Sequence, residues 1–149
     1  MKDLSLSTLI WLRMVRFVQN SNQMSNTHLR RFDLTIAQFE MLSHIRADEP
    51  VTQSGLAKGL TVSGGGVSRM VSRLERDGLI SREQDWKTKF ISLTAAGRLR
   101  LAQAYPAQVE FQSALFDEAL DEEEKTQLHA LMKKLYEHSM TRREDEEQA

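Results

Sequence analysis

The stretch Ser63-Gly-Gly-Gly-Val-Ser-Arg-Met-Val-Ser-Arg-Leu-Glu-Arg-Asp-Gly-Leu-Ile80 has the pattern of a short helix with one apolar stripe. Val67, Val71 and Leu74 recur at i, i+4 and i+7, the spacing that places side chains on one side of a helix. The rest of the cylinder carries small polar and basic residues: Ser63, Gly64, Gly65, Ser68, Arg69, Ser72 and Arg73. The stretch therefore predicts a helix that packs on one side and meets an outside partner on the other.

Both ends of this helix are marked in the sequence. Ser63 is a favourable N-cap residue, and Gly78 is a favourable residue just past the C-terminus. Three glycines follow the cap, although each helical glycine costs about 1 kcal/mol relative to alanine. Backbone N–H groups at such a helix start can approach a phosphate or a base edge closely. The alternative is a flexible loop that precedes a shorter helix beginning near Val67.

A second short helix is predicted immediately before this one, over residues 51–60, with Thr52 as its cap. Its inward-facing residues are Leu56, Ala57 and Leu60. Only Gly59-Leu-Thr-Val62 separates the two helices. Two short helices joined by so tight a turn form a helix-turn-helix, whose second helix enters the major groove of DNA.

A small β-hairpin, or wing, is predicted after the helix-turn-helix. Its strands are residues 79–83 and 89–93, and Gln84-Asp-Trp-Lys-Thr-Lys89 lies at its tip. Lys87 and Lys89 are expected to address phosphates or the minor groove. Two roles are open for Trp86, which either stacks on the sugar-phosphate edge or covers the hairpin.

Long helices are predicted on both sides of this lobe. Residues 4–31 contain no Gly or Pro and carry apolar residues around most of the circumference, among them Trp11. Such a helix must bury more than one face, which in a small chain indicates a partner subunit. Thr35 and Gln38 form a capping box for the next helix, which runs to Arg46.

The C-terminal part, residues 98–140, is predicted to form further helices. Pro106 is expected to kink the first of them or divide it in two. Asp121 and the acidic residues after it begin the last helix, where negative charge is favourable. Beyond it, residues 142–149 are expected to form a disordered acidic tail.

The composition narrows the class of protein. With 149 residues and 40% hydrophobic content, one compact domain over residues 1–141 is expected. The chain has no cysteine and its four histidines are scattered, so no metal site and no other cofactor is predicted. No apolar run reaches the length of a membrane span, and the first residues lack the pattern of a signal peptide. We therefore expect a cytosolic, nucleoid-associated protein.

The net charge of −1 hides an asymmetry along the chain. From Lys58 to Arg100 there are nine Lys or Arg against four Asp or Glu, whereas from Asp117 to Ala149 there are five against eleven. A basic segment in a nearly neutral protein is the electrostatic footprint of a local nucleic-acid contact. The alternative is an ordinary solvated face.

The alternatives to DNA binding belong to two other classes of function. A winged-helix protein-interaction module would use the same basic face on an acidic partner. An enzyme is not predicted, because the sequence shows no nucleophile–base pairing, no paired carboxylates in an apolar setting and no phosphate loop.

Taken in order and at their spacing, these motifs resemble the MarR family of winged helix-turn-helix transcription regulators. The stretches that carry the resemblance are residues 34–39, 52–57, 63–80, 91–97 and 120–124. The resemblance implies a mainly α fold with a small β-hairpin, a DNA-binding lobe at about 34–97, and dimerisation helices at about 4–31 and 98–140. It also implies a homodimer in a bacterial or archaeal cytosol, an inverted-repeat operator in double-stranded DNA, and often repression that a small-molecule effector relieves.

The site residues follow from the helix pattern together with the resemblance. The candidate DNA-binding residues are Thr52, Thr61, Ser63, Gly64, Gly65, Ser68, Arg69, Ser72, Arg73, Asp85, Lys87 and Lys89. The family's ligand pocket lies between the dimer helices and the DNA-binding lobe, and its candidate lining residues here are Trp11, Arg16, Phe39 and His44. Family wings commonly carry Asp-x-Arg, whereas this chain has Asp85-Trp-Lys87. Lysine lacks arginine's planar fork, so a phosphate contact is favoured over minor-groove insertion here.

Overall fold

Six α-helices, a 3₁₀ turn and a three-stranded antiparallel sheet make up the computed structural model, which describes residues 4–60 and 64–149. The helices are α1 (Leu6–Leu29), α2 (Ile36–Asp48), α3 (Gln53–Gly59), α4 (Gly64–Arg76), α5 (Ala95–Asp117) and α6 (Glu122–Gln148), with the 3₁₀ turn at Arg30–Phe32. The strands are β1 (Val51–Thr52), β2 (Ile80–Asp85) and β3 (Thr88–Leu93), in the order β1-β3-β2. The chain divides into two compact units, Met1–Val109 and Glu110–Ala149. This organisation confirms the predicted winged helix-turn-helix fold.

The first unit is built on one hydrophobic core. The fully buried side chains come from α1, α2, α4, α5 and the wing: Leu29, Met41, Leu42, Ile45, Val67, Val71, Leu74, Leu79, Ile91 and Leu101. Burying an aliphatic side chain of this size contributes about 1.5–3 kcal/mol. The core therefore packs against both the wing and α4, the second helix of the helix-turn-helix.

Local capping fixes where α2 begins, as the sequence predicts. The Thr35 hydroxyl accepts a hydrogen bond from the Gln38 backbone N–H at 3.2 Å, and the Gln38 side chain accepts one from the Thr35 N–H at 3.0 Å. The Asn26 side chain of α1 accepts a further hydrogen bond from the Ile36 N–H at 2.7 Å. These contacts satisfy backbone donors that a helix start otherwise leaves unpaired.

The sheet has one strand more than the predicted hairpin. Val51 and Thr52 form β1 and pair with Ile91 and Phe90 of β3. This pairing joins residues about forty positions apart, so no local periodicity signals it. The hairpin of β2 and β3 is also tighter than predicted, because its pairing extends to Asp85 and Thr88.

The expected break at Pro106 does not divide the helix. α5 continues from Ala95 to Asp117 with Pro106 inside it. Proline removes one intrahelical hydrogen bond but has a φ close to the helical value. Buried packing of Leu101, Ala104 and Gln108 on both sides of the proline supports the helix across this position.

The predicted disordered tail is corrected by the course of α6, which continues to Gln148. Arg142 and Arg143 form ion pairs with Glu146 and Glu147, four residues further on. Pairs at this spacing stabilise a helix. The acidic residues therefore extend the last helix instead of repelling one another in a coil.

The part of the chain that the structure describes contains no helix long and apolar enough to cross a membrane.

Candidate nucleic-acid interface

The recognition helix α4 has the two faces that its sequence predicts. Val67, Val71 and Leu74 are fully buried. The exposed residues on the other faces are Gly65, Ser68, Arg69, Ser72 and Arg73. The basic and small polar residues are therefore free to meet a partner along the whole helix.

The start of α4 includes the glycines. The helix begins at Gly64, so the alternative of a loop that lasts until near Val67 is wrong. Thr61 and Ser63, and with them the predicted N-cap, lie outside the described residues. Within the part of the chain that the structure describes, a Cβ added at Gly65 would meet nothing closer than the Arg69 guanidinium at 3.6 Å. Packing against these residues therefore does not explain the glycine at this position.

Two of the three arginines of α4, Arg69 and Arg73, border a concave groove with a volume of about 1020 Å³. Its lining residues are Arg30, Asp33, Leu34, Thr35, Gln38, Gly66, Arg69, Met70, Arg73, Asp77 and Arg100. Four arginines and two aspartates give this groove a positive balance. Sequence reasoning missed Arg30 and Arg100, because they stand outside the helix-turn-helix and only the fold brings them beside α4.

Arg73 is only weakly held by its own helix. Its Nε lies 4.0 Å from an Asp77 carboxylate oxygen, and its side chain is 69% exposed. An ion pair of this length at the surface is weak. Arg73 can therefore exchange this contact for one with a nucleic acid.

A two-point ion pair joins the recognition helix to the wing. The Arg82 guanidinium of β2 donates from Nη2 and Nε to the two carboxylate oxygens of Glu75 at 2.9 and 3.0 Å. These hydrogen bonds lower the pKa of Glu75 below its usual range, more than its partial burial raises it. Glu75 therefore stays ionised, and its ion pair with Arg82 joins the wing to α4.

The other end of the wing is fastened by hydrogen bonds from Thr94 and by close packing at Gly97. Gly78 has a φ of +76°, a conformation that suits glycine and ends α4 as predicted. The Thr94 hydroxyl donates to the Gly78 carbonyl at 2.6 Å, and its backbone N–H donates to the Leu79 carbonyl at 3.1 Å. Gly97 lies directly against Leu79, where a Cβ would come well under 3.0 Å from the carbonyl oxygen. The two ends of the hairpin therefore meet at one tight junction.

The wing tip is a two-residue turn formed by Trp86 and Lys87. Asp85, Lys87 and Lys89 are exposed, as their predicted roles require. Trp86 is 84% exposed, so the interpretation that it covers the hairpin is wrong. The tip instead presents an aromatic ring and two ammonium groups to the surroundings.

Thr52 has a structural role in the same lobe. Its hydroxyl accepts a hydrogen bond from the Gly55 N–H at 3.0 Å and lies 3.3 Å from the Ser54 hydroxyl. Thr52 therefore caps α3 as predicted. One acceptor position of its hydroxyl is used by this cap.

The four candidate ligand-pocket residues lie on two helices. Trp11 and Arg16 are exposed on α1, whereas Phe39 is buried on α2 and packs 6.0 Å from the Tyr105 ring between centroids. His44 is half-buried, and a Cβ at Gly59 would contact its ring. None of the four lines the concave groove beside α4.

Comparison with known proteins agrees with this geometry. Residues 34–87 match the model of the MarR family. An HTH-type transcriptional regulator of Bacillus cereus is 54% identical over 139 residues, which cover 93% of this chain and 95% of the relative. The multiple antibiotic resistance protein MarR of Escherichia coli is 33% identical over 89 residues, covering 57% of this chain and 62% of that protein.

Solved structures share the fold. A mutant of MarR from E. coli in complex with operator DNA has a TM-score of 0.78 at 28% identity and covers 90% of this chain and 99% of that one. The organohalide-sensing regulator RdhR-CbdbA1625 in its 2,4-dichlorophenol-bound form has a TM-score of 0.82 at 23% identity and covers 92% of this chain and 83% of that one. The fold, the exposed basic helix, the attached wing and the relatives agree: the chain belongs to the MarR family of winged helix-turn-helix transcription regulators, which bind DNA.

Proposed function

We propose that this chain is a homodimeric repressor that acts in the cytoplasm, binds an inverted-repeat operator and is released by a small-molecule effector. The observation that carries the proposal is the exposed basic face of α4, which is fixed to a wing with its own exposed cations. A transcription factor that binds in this way reads bases with one element and holds the backbone with another.

Major-groove reading falls to the exposed residues of α4. Arginine can donate two hydrogen bonds to the O6 and N7 atoms of guanine, which makes Arg69 and Arg73 the principal candidates for base contacts. Ser68, Ser72 and the glycine backbone allow close approach between them. Lys87 and Lys89 on the wing, and Arg30 and Arg100 beside α4, supply positive charge for the flanking phosphates.

Dimerisation is supported by apolar side chains that each terminal helix leaves exposed. On α1, Leu6, Trp11 and Val18 are 72%, 66% and 51% exposed. On α6, Leu131 and Tyr136 are 60% and 64% exposed. Exposed apolar patches of this kind typically mark protein interfaces. A dimer places two copies of α4 at related positions, and its operator should then have dyad symmetry.

Control by an effector is supported by the ligand-bound form of RdhR-CbdbA1625, which has the same fold. We keep Trp11, Arg16, Phe39 and His44 as candidate residues for effector binding. Tyr105, which packs on the buried Phe39, supplies a partly exposed aromatic ring, and Arg46 lies over this ring at 4.6 Å from its centroid. Such a surface suits a flat organic ligand.

Selection of binding sites from random duplexes, followed by footprinting and light scattering, tests this proposal. The expected result is a dimer that protects an inverted repeat with half-site centres about 34–36 Å apart, with an affinity that falls as salt is added. A folded monomer at micromolar concentration or a footprint without dyad symmetry would contradict the dimer geometry. Failure to bind any duplex, with capture of an acidic protein instead, would favour the protein-interaction module.

A further inference from the structure

The wing tip exposes the largest aromatic side chain of the DNA-binding lobe. The Trp86 side chain is 84% exposed. Its backbone φ is 56°, in the left-handed region that bulky side chains rarely adopt. The Gln84 side-chain amide donates a hydrogen bond to the Trp86 carbonyl at 3.0 Å and holds the turn in this form.

A structural role does not account for this residue. The ring is too exposed to solvent to stabilise the hairpin through burial of apolar surface. Glycine and asparagine occupy left-handed turn positions at lower cost than tryptophan. Strained residues of this kind cluster at ligand contacts, where the surrounding structure maintains them. The turn therefore holds the Trp86 ring in solvent, where it is accessible to a contact outside the protein.

The charges around the ring indicate the nature of that contact. The Lys87 ammonium lies 5.1 Å from the centroid of the Trp86 ring, so the flat apolar face of the indole and a positive charge lie side by side at the tip. Lys89 is exposed on the same hairpin. The tip therefore suits a partner groove whose walls are apolar and whose edges carry negative charge.

The attachment of the wing places this contact beside the operator bases. The Arg82–Glu75 ion pair joins β2 to α4, and the Thr94–Gly78 hydrogen bond closes the hairpin at the end of α4. With α4 in the major groove, a hairpin attached to it in this way would lie over the adjacent DNA backbone, within reach of the adjoining minor groove. Deoxyribose rings form the walls of that groove, and phosphates line its rim.

We propose that Trp86 is an apolar minor-groove probe that selects the flanks of the operator. The inference rests on the proposed function. The indole packs against the sugar walls, and the Lys87 ammonium contacts a rim phosphate. A two-ring side chain needs a groove that can widen, so flanks with flexible TA or CA/TG steps are favoured over stiff A-tracts, whose minor groove is narrow.

Two duplexes test the proposal with the full-length protein. Both carry the same selected inverted repeat, and their flanks have equal A·T content, one with TA steps and one with A-tracts. Binding is measured across a salt series for the wild type, Trp86→Ala, Trp86→Gly and Lys87→Ala. Lys87→Ala is the matched control, since it removes the neighbouring charge and keeps the ring.

The expected results separate the ring from the charge. The wild type should prefer the TA flank, and Trp86→Ala should remove this preference and weaken binding on the order of tenfold. Its salt slope should stay unchanged, because an apolar contact releases no counterions. Lys87→Ala should instead lower the salt slope by about one unit and keep the flank preference. Trp86→Gly should also lose affinity while its melting temperature stays equal or rises, because glycine tolerates the left-handed turn.

Several outcomes would overturn the proposal. If the wild type and Trp86→Ala bound each duplex with the same affinity, the ring would not touch DNA. Weaker binding by Arg73→Ala in that case would still support the proposed function. A salt slope lowered by Trp86→Ala would mean that the ring only positions Lys87. Conversion of Trp86→Ala to a smaller oligomer in light scattering would place the ring between copies of the chain. Absence of binding by the wild type would instead contradict the proposed function.

Discussion

The carboxylate of Glu75 on α4 accepts two hydrogen bonds from the Arg82 guanidinium on β2, at 2.9 and 3.0 Å. Replacing Arg82 by Gln should therefore loosen the wing and weaken operator binding, although we assign Arg82 no DNA contact. A double-mutant cycle with Glu75→Gln measures the coupling in binding and in urea unfolding. The side chains are 24% and 39% exposed, so a coupling of up to about 1 kcal/mol is expected for stability. Additive effects would contradict a positioning role.

The same ion pair predicts how stability depends on pH. The hydrogen bonds from Arg82 hold the pKa of Glu75 below its usual range. Their contribution to the free energy of unfolding should be present above the unfolded-state pKa of about 4.3 and lost as the pH falls through the lower folded-state pKa. The difference in free energy of unfolding between the wild type and Glu75→Gln, measured by urea unfolding, should thus shrink only as the pH falls below about 4.3. A difference that vanishes at neutral pH would argue against this ion pair as its source.

Arg73→Ala should weaken binding to the selected operator by about 1–3 kcal/mol and relax the preference at one base pair, because Arg73 is assigned a base contact. Competition assays with single-base variants of the operator measure both effects. Arg142→Ala removes the same charge from α6 and serves as the control with little expected effect. A uniform loss on every sequence would identify Arg73 as a phosphate contact.

Gly97→Ala should destabilise the protein by about 1–3 kcal/mol or more, because the new methyl group would collide with the Leu79 carbonyl. Gly65→Ala is the matched control, since within the described part of the chain its Cβ would make only an ordinary contact with the Arg69 guanidinium at 3.6 Å, and it should stabilise the protein by roughly 0.5–1 kcal/mol. Thermal and urea unfolding compare the two variants. Equal stability of both would mean that the backbone at Gly97 relaxes without cost.

Gly65→Leu should abolish operator binding and leave the melting temperature equal or higher. Among the described residues, Arg69 alone lies near this position, at an ordinary contact distance, so the side chain has room beside them. It would instead occupy the space between α4 and the DNA. Calorimetry and gel shifts with the selected operator provide the two readouts. Unchanged DNA affinity would rule out close approach at this glycine.

Patterns that lie within one helix were readable from the sequence. The spacing of Val67, Val71 and Leu74 predicted the buried face of α4, because helical periodicity is local. The Thr35–Gln38 capping box was predicted for the same reason. The tip residues of the wing were also named, although their exposure depends on a turn whose geometry the sequence does not reveal.

Features that depend on distant parts of the chain were missed. The pairing of β1 with β3 and the approach of Arg30 and Arg100 to α4 arise only after folding. Of the two outcomes expected at Pro106, the division of α5 was wrong, as was the disordered end of α6. Both follow from a local cost, whereas the packing around α5 and the ion pairs along α6 that offset this cost arise only in the folded chain.

The junction at Gly78, Leu79, Thr94 and Gly97 has a consequence for how such regulators diversify. Since both ends of the hairpin are fastened at one point, the residues between Ile80 and Leu93 behave as a cassette that can be exchanged as a unit. A longer or differently charged wing from a relative could be grafted there with the core and α4 unchanged. Operator flank preference could then evolve separately from the bases that the recognition helix reads.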